Sequence, residues 1–283
     1  MHASNKNAAS PCVRRLLRMA FPAGAPRVRR WLVVGATTAL AGYASVALGA
    51  AASAAPAAPA PAVPGQADPS ATGAATVPDT IGQRVLACVV CHGEEGRATP
   101  DGYLPRIAGK PAGYLYNQLL NFRDGRRHNA AMSRMLAYLS DDYLREIAEY
   151  FASVDLPYPP PQAPAASPAA HAHAEALVRQ GDAARQLPSC AACHGDELTG
   201  VEPAVPGLLG LPRDYLAGQF GAWKTGLRHA QAPDCMAEIA ERMRPDDVAA
   251  VVNWLASQPV PADSRPAAEA PEPPPMRCGG VPQ

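Results

Sequence analysis

Apolar residues return every third or fourth position in two distant stretches, Leu144, Ile147, Ala148 and Phe151, then Val248, Val251, Val252 and Leu255. That is the spacing of one buried helix face. Each stretch opens on acidic residues, in Ser140-Asp141-Asp142 and Pro245-Asp246-Asp247, which suit the positive end of a helix, and Ser140 adds an N-cap. The pattern predicts helices near 79–91, 111–123 and 140–153, and again near 173–186, 212–224 and 245–257. No strand-type alternation competes, so the expected class is all-α, in two helical blocks.

Composition separates the blocks. The 283 residues include 32 Pro, clustered at 55–80, 157–167 and 259–282, where a packed core is not expected. The expected organisation is a signal peptide or anchor over 1–54, an Ala/Pro-rich linker over 55–77, and a first domain over 78–155. A stiff Pro-rich linker over 156–171, a second domain over 172–258 and a Pro-rich tail over 259–283 complete it. Domains this small are marginal on side-chain packing alone, so a cofactor or crosslink is expected to complete each core.

The net charge of zero is unevenly spread, since residues 1–54 hold seven of the 25 basic residues and none of the 25 acidic ones. The acidic remainder argues against a nucleic-acid partner. Arg14, Arg15, Arg18, Arg27, Arg29 and Arg30 precede an uncharged run from Trp31 that ends in small residues around Ala52-Ser53-Ala54. This is the layout of an export signal, with an apolar stretch long enough to serve as an uncleaved membrane anchor. Either way the body of the chain is expected outside the cytoplasm, in the periplasm.

Six cysteines follow that segment, and four fall in Cys88-Val-Val-Cys91-His92 and Cys190-Ala-Ala-Cys193-His194. C-x-x-C-H is the attachment signal of a c-type haem, so two covalent haems c are expected. A zinc ribbon would place its second pair about 15 to 20 residues on, whereas 98 residues separate Cys91 from Cys190. A thioredoxin-like pair explains neither the histidine nor the duplication. On a helix, Cys88 and Cys91 share a face, as do Cys190 and Cys193, and the next residue, His92 or His194, is placed to ligate the iron.

An electron carrier needs a second axial ligand, and the duplication suggests where. Laid over Pro206 to Arg228, Pro105 to Arg127 shares Pro105, Gly109, Pro111, Tyr114, Leu115, Gln118, Gly125 and Arg127. Continued, this brings Met132, 40 residues after His92, to the place of Met236, 42 after His194. Both methionines are expected in loops before the last helix of their domain, with Met135 and Met243 at apolar positions of that helix. Met132 and Met236 are the candidate sixth ligands, with the matched His128 and His229 as the bis-His alternative. Pro105 and Pro206 can each offer a carbonyl to the Nδ1–H of its proximal histidine, or simply shape a loop.

Taken together, C-x-x-C-H-G, Pro-x-Leu/Ile-x-Gly, Tyr-Leu-x-x-Gln, Gly-x-Arg and a Met before a terminal helix, all present twice, resemble the dihaem cytochrome c4 family over about residues 78–258. The resemblance implies two tandem cytochrome c-like domains, with His92 and Met132 on one haem and His194 and Met236 on the other. It implies an electron carrier rather than an enzyme, passing electrons from a quinol-oxidising complex or a dehydrogenase toward a terminal oxidase. Membership of a membrane-bound dehydrogenase complex and a dihaem peroxidase are the alternatives. Cys235 and Cys278 remain over, and in an oxidising compartment they are a disulfide candidate that would staple the tail beside Met236 and shield the second haem.

Overall fold

Helices in this chain are fixed by their caps as much as by their apolar faces. A computed structural model describes residues 77–99, 103–270 and 272–282. The expected signal or anchor over 1–54 and nearly all of the linker over 55–77 lie outside the described residues. The first half contains α1 (Ile81–Arg84), α2 (Leu86–His92), α3 (Ala112–Arg123), α4 (Ala130–Leu136) and α5 (Asp141–Ser153). The second contains α6 (Pro168–Gln180), α7 (Ala191–His194), α8 (Arg213–Lys224), α9 (Cys235–Arg242) and α10 (Pro245–Ser257).

Two separate cores follow from the two amphipathic sets. Leu115 and Phe122 of α3 meet Leu144, Ile147 and Phe151 of α5 in the first. Leu177 and Val178 of α6, Leu216 of α8 and Val251 and Leu255 of α10 form the second. Ser140 caps α5 by accepting from the Tyr143 N–H at 3.3 Å. α10 opens on Arg244-Pro245, and Asp247 reaches back instead, accepting from the Arg244 N–H at 2.9 Å.

Several sequence expectations need correction. The helix foreseen near 79–91 breaks at Val85 into α1 and α2. α6 starts and ends earlier than 173–186: Ser167 accepts from the Ala170 N–H, Pro168 takes the first helical position, and Gly181, with φ of 73°, ends the helix. The last residues of the 156–171 linker are therefore helical. A short antiparallel pair, β1 (Gly200–Val201) with β2 (Val205–Pro206), joins the helices. The linker is also fastened: buried Arg106 donates to the Leu156 carbonyl at 2.5 Å and the Pro157 carbonyl at 3.0 Å and lies over the Tyr158 ring. The Pro-rich tail is fastened too, as the Ala267 N–H donates to the Gly200 carbonyl at 2.9 Å and the Ala267 carbonyl accepts from the Glu202 N–H at 2.8 Å.

Candidate haem-binding sites

α2 and α7 each end on the histidine of their C-x-x-C-H motif, which turns the imidazole inward; His92 and His194 are both buried. His92 Nδ1 lies 2.8 Å from the Pro105 carbonyl oxygen, and His194 Nδ1 lies 2.7 Å from that of Pro206. A carbonyl can only accept, so Nδ1 carries the proton and Nε2 keeps its lone pair for a metal. Burial holds both imidazoles below the ordinary histidine value, the Pro carbonyl opposes it, and nearby Arg127 lowers His92 further. The neutral imidazole is the ligating form.

None of the four motif cysteines is in a disulfide. Burial pushes Cys88 and Cys193 up, and Cys190 to about 11. Among the described residues no cluster of three His, Cys, Asp or Glu could hold a bare metal ion.

In the second half, Cys190, Cys193, His194, Pro206 and Met236 line one cavity of about 220 Å³ with chiefly apolar walls. Well-packed interiors leave few voids larger than a water molecule, so this space has the character of a binding site rather than a packing defect. Met236 does not sit in a loop, as expected, but in the first turn of α9. Met132 likewise sits in the first turn of α4, packed against the first core. Asn129 caps α4, its Oδ1 accepting from the Ala131 and Met132 N–H groups at 3.1 Å each. Asp234 caps α9, accepting from the Ala237 N–H at 3.1 Å and the Ala230 N–H at 2.7 Å.

The other two methionines also depart from expectation. Met135 shares α4 with Met132 and is exposed, while Met243 lies just past α9, buried, on the wall of the second cavity. His229 and Met276 reach the same wall. Cys235 and Cys278 form a disulfide, with a Cα–Cα distance of 5.4 Å, one residue from Met236.

The polar members of the repeat converge between the two halves, a role that the sequence alone did not assign. The Gly-x-Arg loops pair antiparallel: the His128 N–H donates to the Leu227 carbonyl at 2.8 Å, and the His229 N–H to the Arg126 carbonyl at 2.7 Å. Arg127 donates to Gln118 at 2.8 Å and Gln219 at 2.7 Å, and Arg228 donates to Gln219 at 2.5 Å and Gln118 at 3.2 Å. Among the described residues no carboxylate pairs with Arg127, Arg228 or the buried Lys110. Burial alone would raise the Tyr114 hydroxyl, but Arg228, Arg127 and Lys110 bring it below its usual value.

The same region supplies a test of fit. The Trp223 ring lies on the cavity wall under Arg228, 3.9 Å from the guanidinium carbon, and its buried Nε1–H has no partner. An unpaired donor and a surplus of cations beside an apolar cavity suit a planar group that ends in carboxylates, which is what haem is. Thiols on one helix face, a neutral imidazole fixed by a carbonyl and an apolar cavity with a cationic rim define a c-type cytochrome.

Comparison with known proteins makes the assignment closer. Residues 178–259 match the family described as Cytochrome c. The chain is 37% identical over 190 residues to a thiosulfate dehydrogenase electron acceptor of Thiomonas intermedia, covering 67% of this chain and 84% of that protein. It is 32% identical over 174 residues to cytochrome c4 of Pseudomonas aeruginosa, covering 61% and 84%. The crystal structure of cytochrome c4 from Pseudomonas stutzeri superposes with a TM-score of 0.54 and 28% identity, covering 62% of this chain and 95% of that one. A thiosulfate dehydrogenase from Marichromatium purpuratum gives 0.54 and 32%, covering 63% of this chain and 38% of that one. The chain belongs to the dihaem cytochrome c4 family. It has the all-α cytochrome c fold, and it is an electron-transfer protein that carries covalent haem c and works with redox partners.

Proposed function

We propose that this chain is a periplasmic two-haem carrier that takes electrons from a dehydrogenase acting on thiosulfate and passes them toward a terminal oxidase. The observation that carries the two-haem reading is the repeated geometry of Cys-x-x-Cys-His with a Pro carbonyl on each imidazole, 2.8 Å and 2.7 Å away. When bound, haem c supplies an iron centre that changes by one electron. In this reading His92 and His194 present Nε2 to the metal, held in orientation by their Nδ1–H bonds. Met132 and Met236 present thioethers, whose softness favours the reduced state and a high potential. Trp223 and Arg228 bind carboxylates at the cavity rim, and the apolar walls exclude water. The donor follows from the relatives named as thiosulfate dehydrogenase electron acceptors at 37% and 36% identity.

A second reading, a general carrier fed by a quinol-oxidising complex, is favoured by the cytochrome c4 relatives. Intact mass of the denatured mature protein tests the haem count: two added haems are expected, and one or none overturns the reading. The ferric spectrum should show low-spin iron with a Met-to-iron charge-transfer band for both haems; a high-spin haem would instead point to an enzyme of peroxidase type. Stopped-flow mixing with a thiosulfate dehydrogenase and thiosulfate, set against a quinol-oxidising complex, separates the two donors.

A further inference from the structure

The two attachment segments are equivalent in sequence but not in exposure. In the first half Leu86 is 52% and Val90 80% exposed, and Cys91 is exposed with them. Their counterparts Pro188, Ala192 and Cys193 are half-buried. The tail lies against the second segment. Ala268, Pro274 and Cys278 line another cavity, of about 240 Å³, together with Ala192 and Cys193, and Met276 and Gly280 line the cavity that His194 faces.

Four attachments hold the tail there. Ala267 is hydrogen-bonded to Gly200 and Glu202, the Gly279 N–H donates to the Pro233 carbonyl at 2.9 Å, and Cys278 is bonded to Cys235 at the start of α9. The fourth comes from the first half, where Asn117 Nδ2 donates to the Gly280 carbonyl at 2.6 Å. Gly279 fits this seat because a Cβ would stand 2.3 Å from both the Ala232 and Gln231 carbonyl oxygens.

We propose that the C-terminal segment, 264–270 and 272–282, is a strap that closes the second haem cavity and leaves the first domain as the place where electrons are exchanged with other molecules. The inference rests on the two-haem reading. Electron transfer between molecules weakens steeply with separation, so a covered edge exchanges slowly with outside reductants while the open one does not. The second domain is then filled and emptied through the first.

The test compares the full-length holoprotein with a Cys278→Ser/Gly279→Val variant, which removes the covalent anchor and crowds the seat. Hydrogen exchange in the variant should speed by at least tenfold for the amides of α9 and for 264–282, while those of α4 stay unchanged. In stopped-flow reduction by ascorbate, the wild type should give one phase that rises with ascorbate concentration and one that levels off; in the variant both should rise. Two wild-type phases that both track ascorbate overturn the strap, as does a variant with released tail amides and wild-type kinetics. The wild-type kinetics decides the matter alone if the variant does not fold. An intact mass showing a single haem removes the two-haem reading, and the proposal with it, so the two failures are told apart.

Discussion

Asp247 shows how a single buried charge can hold a helix start in place. Its carboxylate is only 1% exposed and accepts from His173 Nε2 at 2.8 Å, Arg185 at 2.5 Å and the Arg244 N–H at 2.9 Å. Burial alone would raise its pKa, but the bonds from His173, Arg185 and Arg244 hold it well below the usual carboxylate range. A depressed folded value means that this stabilisation is complete above the unfolded value of about 4 and is lost as pH falls below it. Asp247→Asn should cost about 2–4 kcal/mol, because Arg185 keeps its charge with a weaker partner. Thermal unfolding between pH 6 and 2.5 checks both points: the variant should melt earlier at neutral pH and lose less of its melting temperature on acidification.

At the scale of elements, α9 brings Met236 to the cavity that His194 lines and α4 carries Met132 against the first core, and both helices depend on capping. Asp234→Ala should destabilise the second domain by about 1 kcal/mol and let α9 fray, so that the Met-to-iron charge-transfer band fades at a lower temperature than in the wild type. Asp234→Asn, which keeps the acceptor, should restore most of the band. These two helices also mark the limit of what the sequence discloses. α3, α5, α8 and α10 are legible because each is long enough to repeat an apolar face, whereas α4 and α9 have only seven and eight residues. Their signal is the cap, Asn129 or Asp234 ahead of an Ala-containing run, and it is local and weak. The start of α6 is hidden for a related reason: Pro168 reads as part of a Pro-rich spacer, although Ser167 ahead of it is an N-cap. The attachment motifs are legible because their chemistry lies within five consecutive residues, while the tail's seat depends on contacts 43 and 163 residues away in the chain.

On the scale of the whole molecule, the duplication places like beside like. Gln118 and Gln219 each accept from both Arg127 and Arg228, so neither half completes the cluster alone. Close approach of the halves is required elsewhere too: the Gly113 N–H donates to the Pro203 carbonyl at 2.9 Å, and a Cβ on Gly113 would stand 2.6 Å from that oxygen. Among the described residues Arg228 and Lys110 are buried without a carboxylate partner, which is costly by itself, and anionic groups on the cofactor would offset that cost. A fixed positive charge near the porphyrin disfavours the ferric state, which carries one more positive charge than the ferrous. Arg228→Met should therefore lower the potential of the second-domain haem, by on the order of 40 mV for each ~1 kcal/mol of interaction lost. Arg134→Met, at an exposed position of α4, should leave both potentials unchanged. Spectroelectrochemical titration of the two variants beside the wild type reads the shift directly. An unchanged or raised potential in Arg228→Met would mean that the cation cluster serves only to join the two halves.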